Sequence, residues 1–307
     1  MSLAASLGYG EKDRLLIVNA DDYGLCHSTN TGIQQLLLEG AVSSATIMMP
    51  CGWAREAALW SASYPQADVG IHLTFTSEWD SYKWGPVNRN GVTSSLTDKE
   101  GYFPKDSASF ERQADPDQVK EEMTAQIEMA LSLGMKPTHA DNHMGSLYGL
   151  ATGRNFLPQV LEVCAKFGLP FRLPRYLQQD NGVVAPPELE EQARQLASLA
   201  DSMGVVILDY LAGLPFSLQA GETYGSLKEE MKRLLRGLRP GVTEIIIHPS
   251  HVTEELRAFH GQPEKRGMEL ELFRDEDIRR TLQEENIRLI RWGELQRLQH
   301  GRSGHPN

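Results

Sequence analysis

Cysteine is scarce: Cys26, Cys51 and Cys164 are the only three in 307 residues, and no two form a C-x-x-C pair. That excludes a disulfide framework or a thiolate zinc cluster and fits a reducing compartment, so a cytoplasmic protein is expected. No run of about 18 apolar residues occurs, which argues against a helical membrane span. Met1 to Gly10 has no apolar stretch of signal-peptide length. Basic residues are outnumbered, 30 Lys and Arg against 41 Asp and Glu, for a net charge of -11. A dedicated nucleic-acid binder needs the opposite balance to replace counterions. There is no Gly-x-Ser-x-Gly elbow and no Walker loop. Neither an internal repeat nor a low-complexity tract is visible. Apolar residues make up 40% of the chain, enough to build a full core.

The length fits two ordinary domains or one α/β barrel, and the pattern favours the barrel. Apolar strand candidates recur at Leu15–Val18, Ala45–Met49, Val69–Leu73, Thr138–Asp141, Pro170–Leu173, Val205–Asp209, Glu244–Ile247 and Ile287–Ile290. Helical stretches separate them. Ser28 is expected to cap a helix ending at Glu39–Gly40. Asp115-Pro116 opens another that stops at Gly134, and Asp275 caps a late one. Strands alternating with helices imply βα units around a parallel sheet. One catalytic barrel over 1–300 is expected, with a frayed tail at 301–307. Residues 77–114 read as a long insert without a clear element. It carries Trp79, Tyr82, Trp84, Tyr102 and Phe103, so a functional loop is the better reading. His251 to Arg266 reads as a second loop.

Polar residues gather at the predicted strand ends. Asp21 and Asp22 follow the first strand and His72 ends the third. His139, Asp141 and His143 mark the fourth, Arg172 and Arg175 the fifth, and His248 the seventh. In a βα barrel those ends converge on the face where active sites are built. Each residue has a structural alternative: a helix cap for an Asp, a satisfied core or surface imidazole for a His. Convergence is what favours chemistry. Adjacent carboxylates repel unless a cation or hydrogen bonds hold them ionised, so one would bind a metal and the other take a proton from water. His139, Asp141 and His143, two apart, share one face of an extended strand. Imidazoles with a carboxylate suit many divalent metals, and an Asp between two His also suits orienting a ligand imidazole. His248 reads as a general acid. Cys26 reads as packing, and His27, His260, His300 and His305 as surface or loop residues.

The run Asn19-Ala20-Asp21-Asp22-Tyr23-Gly24 resembles the opening motif of the YdjC-like carbohydrate deacetylases, which include chito-oligosaccharide deacetylases. Gly70-Ile71-His72-Leu73, Pro137 through His143, His248-Pro249 and Arg266-Gly267-Met268-Glu269-Leu270 match further family segments, in order over about 14–292. The resemblance implies a distorted TIM-type barrel that removes N-acetyl groups from an amino sugar. It implies one divalent ion, magnesium or zinc first and cobalt or nickel also admissible, on Asp22, His72 and His143. It implies Asp21 as base and His248 as acid, with Arg172 or Arg175 orienting the base and His139 and Asp141 supporting. Opposite protonation states of base and acid would give a bell-shaped pH–rate profile. Met144-Gly145-Ser146-Leu147 departs from the more histidine-rich continuation in other members, which alters the pocket wall. Trp79 and Trp84 are expected to stack on the sugar, or else to anchor the insert. The expected partner is a small carbohydrate, with no nucleic acid and no membrane; a homo-oligomer is left open. The competing readings are a two-metal phosphoesterase, needing His139 and Asp141 as ligands, and a barrel that binds sugar without turnover.

Overall fold

A computed structural model describes residues 2–177 and 187–303. Its strands are β1 (Arg14–Tyr23), β2 (Ser44–Ile47), β3 (Val69–Leu73), β4 (Ala140–Asn142), β5 (Phe171–Pro174), β6 (Ile207–Leu208), β7 (Tyr210–Gly213), β8 (Gly241–Ile247) and β9 (Ile287–Leu289). All pairings are parallel, in the order β6-β5-β4-β3-β2-β1-β8-β7. The two end strands are separated only by Asp209, so the sheet curls into a nearly closed barrel ringed by helices. This is the expected distorted TIM-type α/β barrel.

The distortion sits at β1. β9 pairs with its first residues, Arg14 to Leu16, while β2 pairs with Asn19 to Tyr23. The last predicted strand therefore props the start of β1 and is not a full stave. The expected sixth strand is shortened to Ile207–Leu208, and a further strand, Tyr210–Gly213, follows it. Asp209 accepts from the backbone of Val242 at 2.9 Å, and the chain crosses there from the edge of β5 to that of β8. Tyr210–Gly213 escaped the sequence reading because it is mostly half-exposed, without a strong apolar run.

Several caps behave as their chemistry dictates. Asp115 accepts from Asp117 and Gln118 at the head of Pro116–Ser132, and Asp275 from Asp277 at the head of Glu276–Glu284. Ser28 does not cap its helix, which starts at His27. Instead the Glu255 carboxylate accepts from the backbone of His27 and Ser28 (3.2 and 3.0 Å). Two segments read as loops hold helices. Ser107–Gln113 lies in the insert, capped by Asp106. Glu254–Arg257 and Pro263–Leu272 lie after β8. Pro263 sits in the first turn of its helix, where its missing N–H costs nothing. Residues 301–303 continue the helix Trp292–Ser303, and 304–307 lie outside the described residues.

Candidate metal centre and active site

The site begins with a backbone anomaly. Successive side chains of a strand point to opposite faces, yet Asp21 and Asp22 both reach it. The β1–β2 register shifts between Ala20 and Tyr23, and Asp22 takes the left-handed conformation, φ +65°. A bulge with a left-handed residue re-aims a side chain at a cost of order 1–3 kcal/mol. Gly24 (φ +89°) completes the turn. A Cβ there would stand 3.0 Å from the Ala54 backbone.

Asp22 is buried. Its Oδ2 accepts from Arg266 at 2.6 Å. Its Oδ1 has no hydrogen-bond partner and faces His72 Nε2 at 3.4 Å and His143 Nδ1 at 3.3 Å. One carboxylate oxygen and two imidazole nitrogens within 4.8 Å of one another can hold a metal ion. An orphaned anionic oxygen costs free energy unless something cationic meets it. The surroundings favour positive charge. Burial opposes the imidazolium forms, but Asp141 and Asp21 lift His72 to about 10, and Glu78 and Asp22 lift His143 to about 9. The donor set therefore fits a divalent cation that accepts nitrogen and oxygen.

Beneath it lies a buried layer of charge. Arg172 grips Asp21 in bidentate fashion (2.8 and 2.7 Å), reaches Asp141 at 2.6 Å, and holds Glu244 through two 3.0 Å bonds. Burial alone would raise the Asp21 pKa, but Arg172 overrides it and keeps the carboxyl well below the usual range. Asp141 Oδ1 accepts from His72 Nδ1 at 2.5 Å, and its Oδ2 from Thr46 at 2.8 Å. Asn19 donates to Asp21 at 2.8 Å. His139 is deeper still, its ring stacked on Trp292 at 4.7 Å, and Trp292 donates to Glu244. It thus lies apart from His143 and stays neutral, because burial and Arg172 push its pKa well down.

His248 ends β8. Its backbone N–H donates to Glu269 at 2.5 Å, and its ring meets Phe216 edge-to-face at 5.2 Å. Burial depresses its pKa to about 4 and raises that of Glu269 to about 7. Arg175, one of two candidates for orienting Asp21, instead pairs with Asp201 (2.8 and 2.7 Å), partly in solvent. It follows the last residue of β5, outside the barrel interior that Arg172 enters. Trp84 is 3% exposed and donates to the Thr76 carbonyl at 2.8 Å. Trp79 packs on Trp84, Phe259 and His260. The insert has no strand of its own, so its aromatics build the small core that holds it.

Five contributors carried no role in the sequence reading: Glu78, Glu244, His260, Arg266 and Glu269. Glu244 had a signal, a lone acid opening the apolar run Ile245–Ile247. Arg266 and Glu269 stood inside a recognised segment. His260, read as a surface or loop residue, takes a 2.8 Å bond from Arg266 Nε. Glu78 had no signal beyond its place next to Trp79. It faces His143 Nε2 at 3.1 Å.

The family model described as YdjC-like protein matches residues 15–284. A carbohydrate deacetylase of Thermus thermophilus is 30% identical over 92% of this chain and 95% of its own length. One from Thermoanaerobacter pseudethanolicus is 28% identical over 92% and 99%. A chitooligosaccharide deacetylase of Yersinia enterocolitica is 33% identical over 56% of this chain and 64% of its own. A solved structure described as a cellobiose-phosphate cleavage protein of Enterococcus faecalis superposes with a TM-score of 0.71 at 24% identity, covering 92% of this chain and 99% of that one. It bears on the fold alone. With a match across most of the barrel, this chain belongs to the YdjC-like protein family.

Proposed function

We propose that the chain is a metal-dependent hydrolase that removes the N-acetyl group of an amino sugar or chito-oligosaccharide. The observation that carries it is the unpartnered Asp22 Oδ1 facing two imidazole nitrogens, directly beside an Arg172-clamped Asp21. Asp22, His72 and His143 would hold one divalent ion. When bound, that ion supplies polarisation of the acetyl carbonyl and a lowered pKa for water.

The chain's own residues do the rest. Asp21 Oδ2, 3.8 Å from His72 Nε2, faces the ligand set and receives the proton of the attacking water. It does not keep that proton, because Arg172 favours the anion. His248 is neutral at rest. It takes that proton from Asp21 as Asp21 returns to its anion, and delivers it to the sugar nitrogen as the C–N bond breaks, releasing acetate and the free amine. Phe216 is 66% exposed beside His248, and there, next to the residue that would protonate the leaving amine, it would pack on the pyranose ring. Trp79 and Trp84 serve this reading as the wall of the site.

The phosphoesterase reading is weaker. His139 is stacked on Trp292, and Asp141 is already engaged by His72 and Arg172. The test is acetate release from N,N′-diacetylchitobiose by metal-stripped protein, with zinc, magnesium, cobalt or nickel restored. Metal-dependent acetate that disappears in Asp21→Asn supports the proposal. No acetate from folded, metal-loaded protein on this or other N-acetylated sugars refutes it.

A further inference from the structure

We propose that Glu78, supplied by the aromatic insert, is a positioning residue of the metal centre. It takes the Nε2–H of His143 and leaves Nδ1 as the lone pair directed at the ion. The inference rests on the metal-ligand reading above.

The two imidazoles are arranged alike. His72 gives Nδ1–H to Asp141 and turns Nε2 toward Asp22 Oδ1. His143 gives Nε2–H to Glu78 Oε2 and turns Nδ1 toward the same oxygen. A carboxylate on the far nitrogen fixes the tautomer, orients the ring and makes the near nitrogen a better donor. His143 needs that hold more than His72 does. His72 sits within β3, laddered between β2 and β4. His143 begins a single turn in which Met144 adopts φ +52°.

The segment that presents Glu78 is fixed on both sides. Ser77 N–H donates to Pro104 O at 2.8 Å, and Trp84 N–H to Ser77 Oγ at 3.1 Å. Lys83 donates to the Ser77 carbonyl at 2.7 Å, and the Trp84 indole stands 6.3 Å from the His143 ring. The insert therefore holds a ligand in place as well as walling the site.

The test is a zinc titration of the whole chain against a competing chelator, for wild type, Glu78→Gln and Glu78→Ala, with near-UV circular dichroism to verify folding. Glu78→Ala should bind zinc about 10–100-fold more weakly. Glu78→Gln, which still accepts the Nε2–H but lacks the charge, should fall between it and wild type. Glu78→Ala within twofold of wild type, or Glu78→Gln weaker than Glu78→Ala, overturns the inference alone. A wild-type chain that takes up no divalent ion defeats the metal-centre reading and this inference with it.

Discussion

Replacing Arg172 with Met should destabilise the fold strongly and in a pH-dependent way. The guanidinium sits among three buried carboxylates, donating four hydrogen bonds of 3.0 Å or less, two to Asp21 and two to Glu244, and forming an ion pair with Asp141 at 2.6 Å. Methionine fills a similar volume but removes every one of them. What remains is thin: Asn19 and a long 3.5 Å contact from Thr46 for Asp21, Thr46 and His72 for Asp141, and Trp292 for Glu244. Leaving buried charge uncompensated costs roughly 3–5 kcal/mol. A chain of 307 residues has an unfolding entropy of about 0.6 kcal/mol/K, so the melting temperature should fall by about 5–8 °C.

The pH dependence has a definite sign. In the variant Asp21 loses its cation, so its folded pKa rises above the unfolded one, and that of Glu244, already raised by burial, rises further. A carboxyl so raised binds more protons folded than unfolded, and stability is lost as pH rises toward its folded pKa. The deficit against wild type should therefore be largest near pH 8 and shrink toward pH 5. Calorimetric melts at both values test this. A variant that melts within about 1 °C of wild type at pH 8, or whose deficit grows on acidification, refutes the idea that Arg172 offsets this charge.

Asp68 offers an independent pH test. Burial lifts its carboxyl to about 6, although Thr138 and Gly293 donate to it, so its ionisation disfavours the folded state above that pH. Asp68→Asn should gain stability relative to wild type between pH 5 and pH 8 in urea melts; a constant difference would contradict it. Phe216→Ala should raise KM for the chitobiose substrate about tenfold, the loss of roughly 50 Å² of apolar contact, with kcat within about twofold. A fall in kcat at constant KM would instead make Phe216 a shield for His248. Trp84→Ala should cost about 3–5 kcal/mol of stability as a buried core truncation. An unchanged melt with a raised KM would return Trp84 to the sugar site.

The barrel was legible because its strands are short apolar runs at regular spacing, and such runs depend on burial alone. Val69–Leu73 was bounded correctly, and the strand-end residues Asp21, Asp22, His72, His143 and His248 do share one end of the sheet. Contacts made across the barrel were not legible. Arg172 and Arg175 look equivalent in sequence. Only the turn of the chain at the end of β5 sends one inward to Asp21 and the other out to Asp201. The adjacent Asp pair suggested two roles, but not the bulge and left-handed Asp22 that let both side chains face one way. The insert's aromatics were visible, whereas their packing on one another depends on Phe259, 180 residues downstream of Trp79. Long-range partners of this kind leave no periodicity to read.

The ionisation states also revise what the charged residues do. Opposite protonation of Asp21 and His248 suggested a bell-shaped profile, with each residue setting one limb. In the folded chain Arg172 keeps Asp21 anionic far below neutrality, and burial keeps His248 neutral down to about pH 4. Neither group changes state near pH 7, so the resting site holds an anion and a free base. Glu244, raised to about 7 by burial against the pull of Arg172, takes a proton on mild acidification while Asp21 stays ionised. That protonation leaves Arg172 to Asp21 and Asp141, strengthening the grip that keeps Asp21 ionised. A buried ionic layer is seldom the cheapest way to fill a barrel. Here it holds a carboxylate charged without solvent, beside Asp22 and the His72 imidazole, across the neutral pH range.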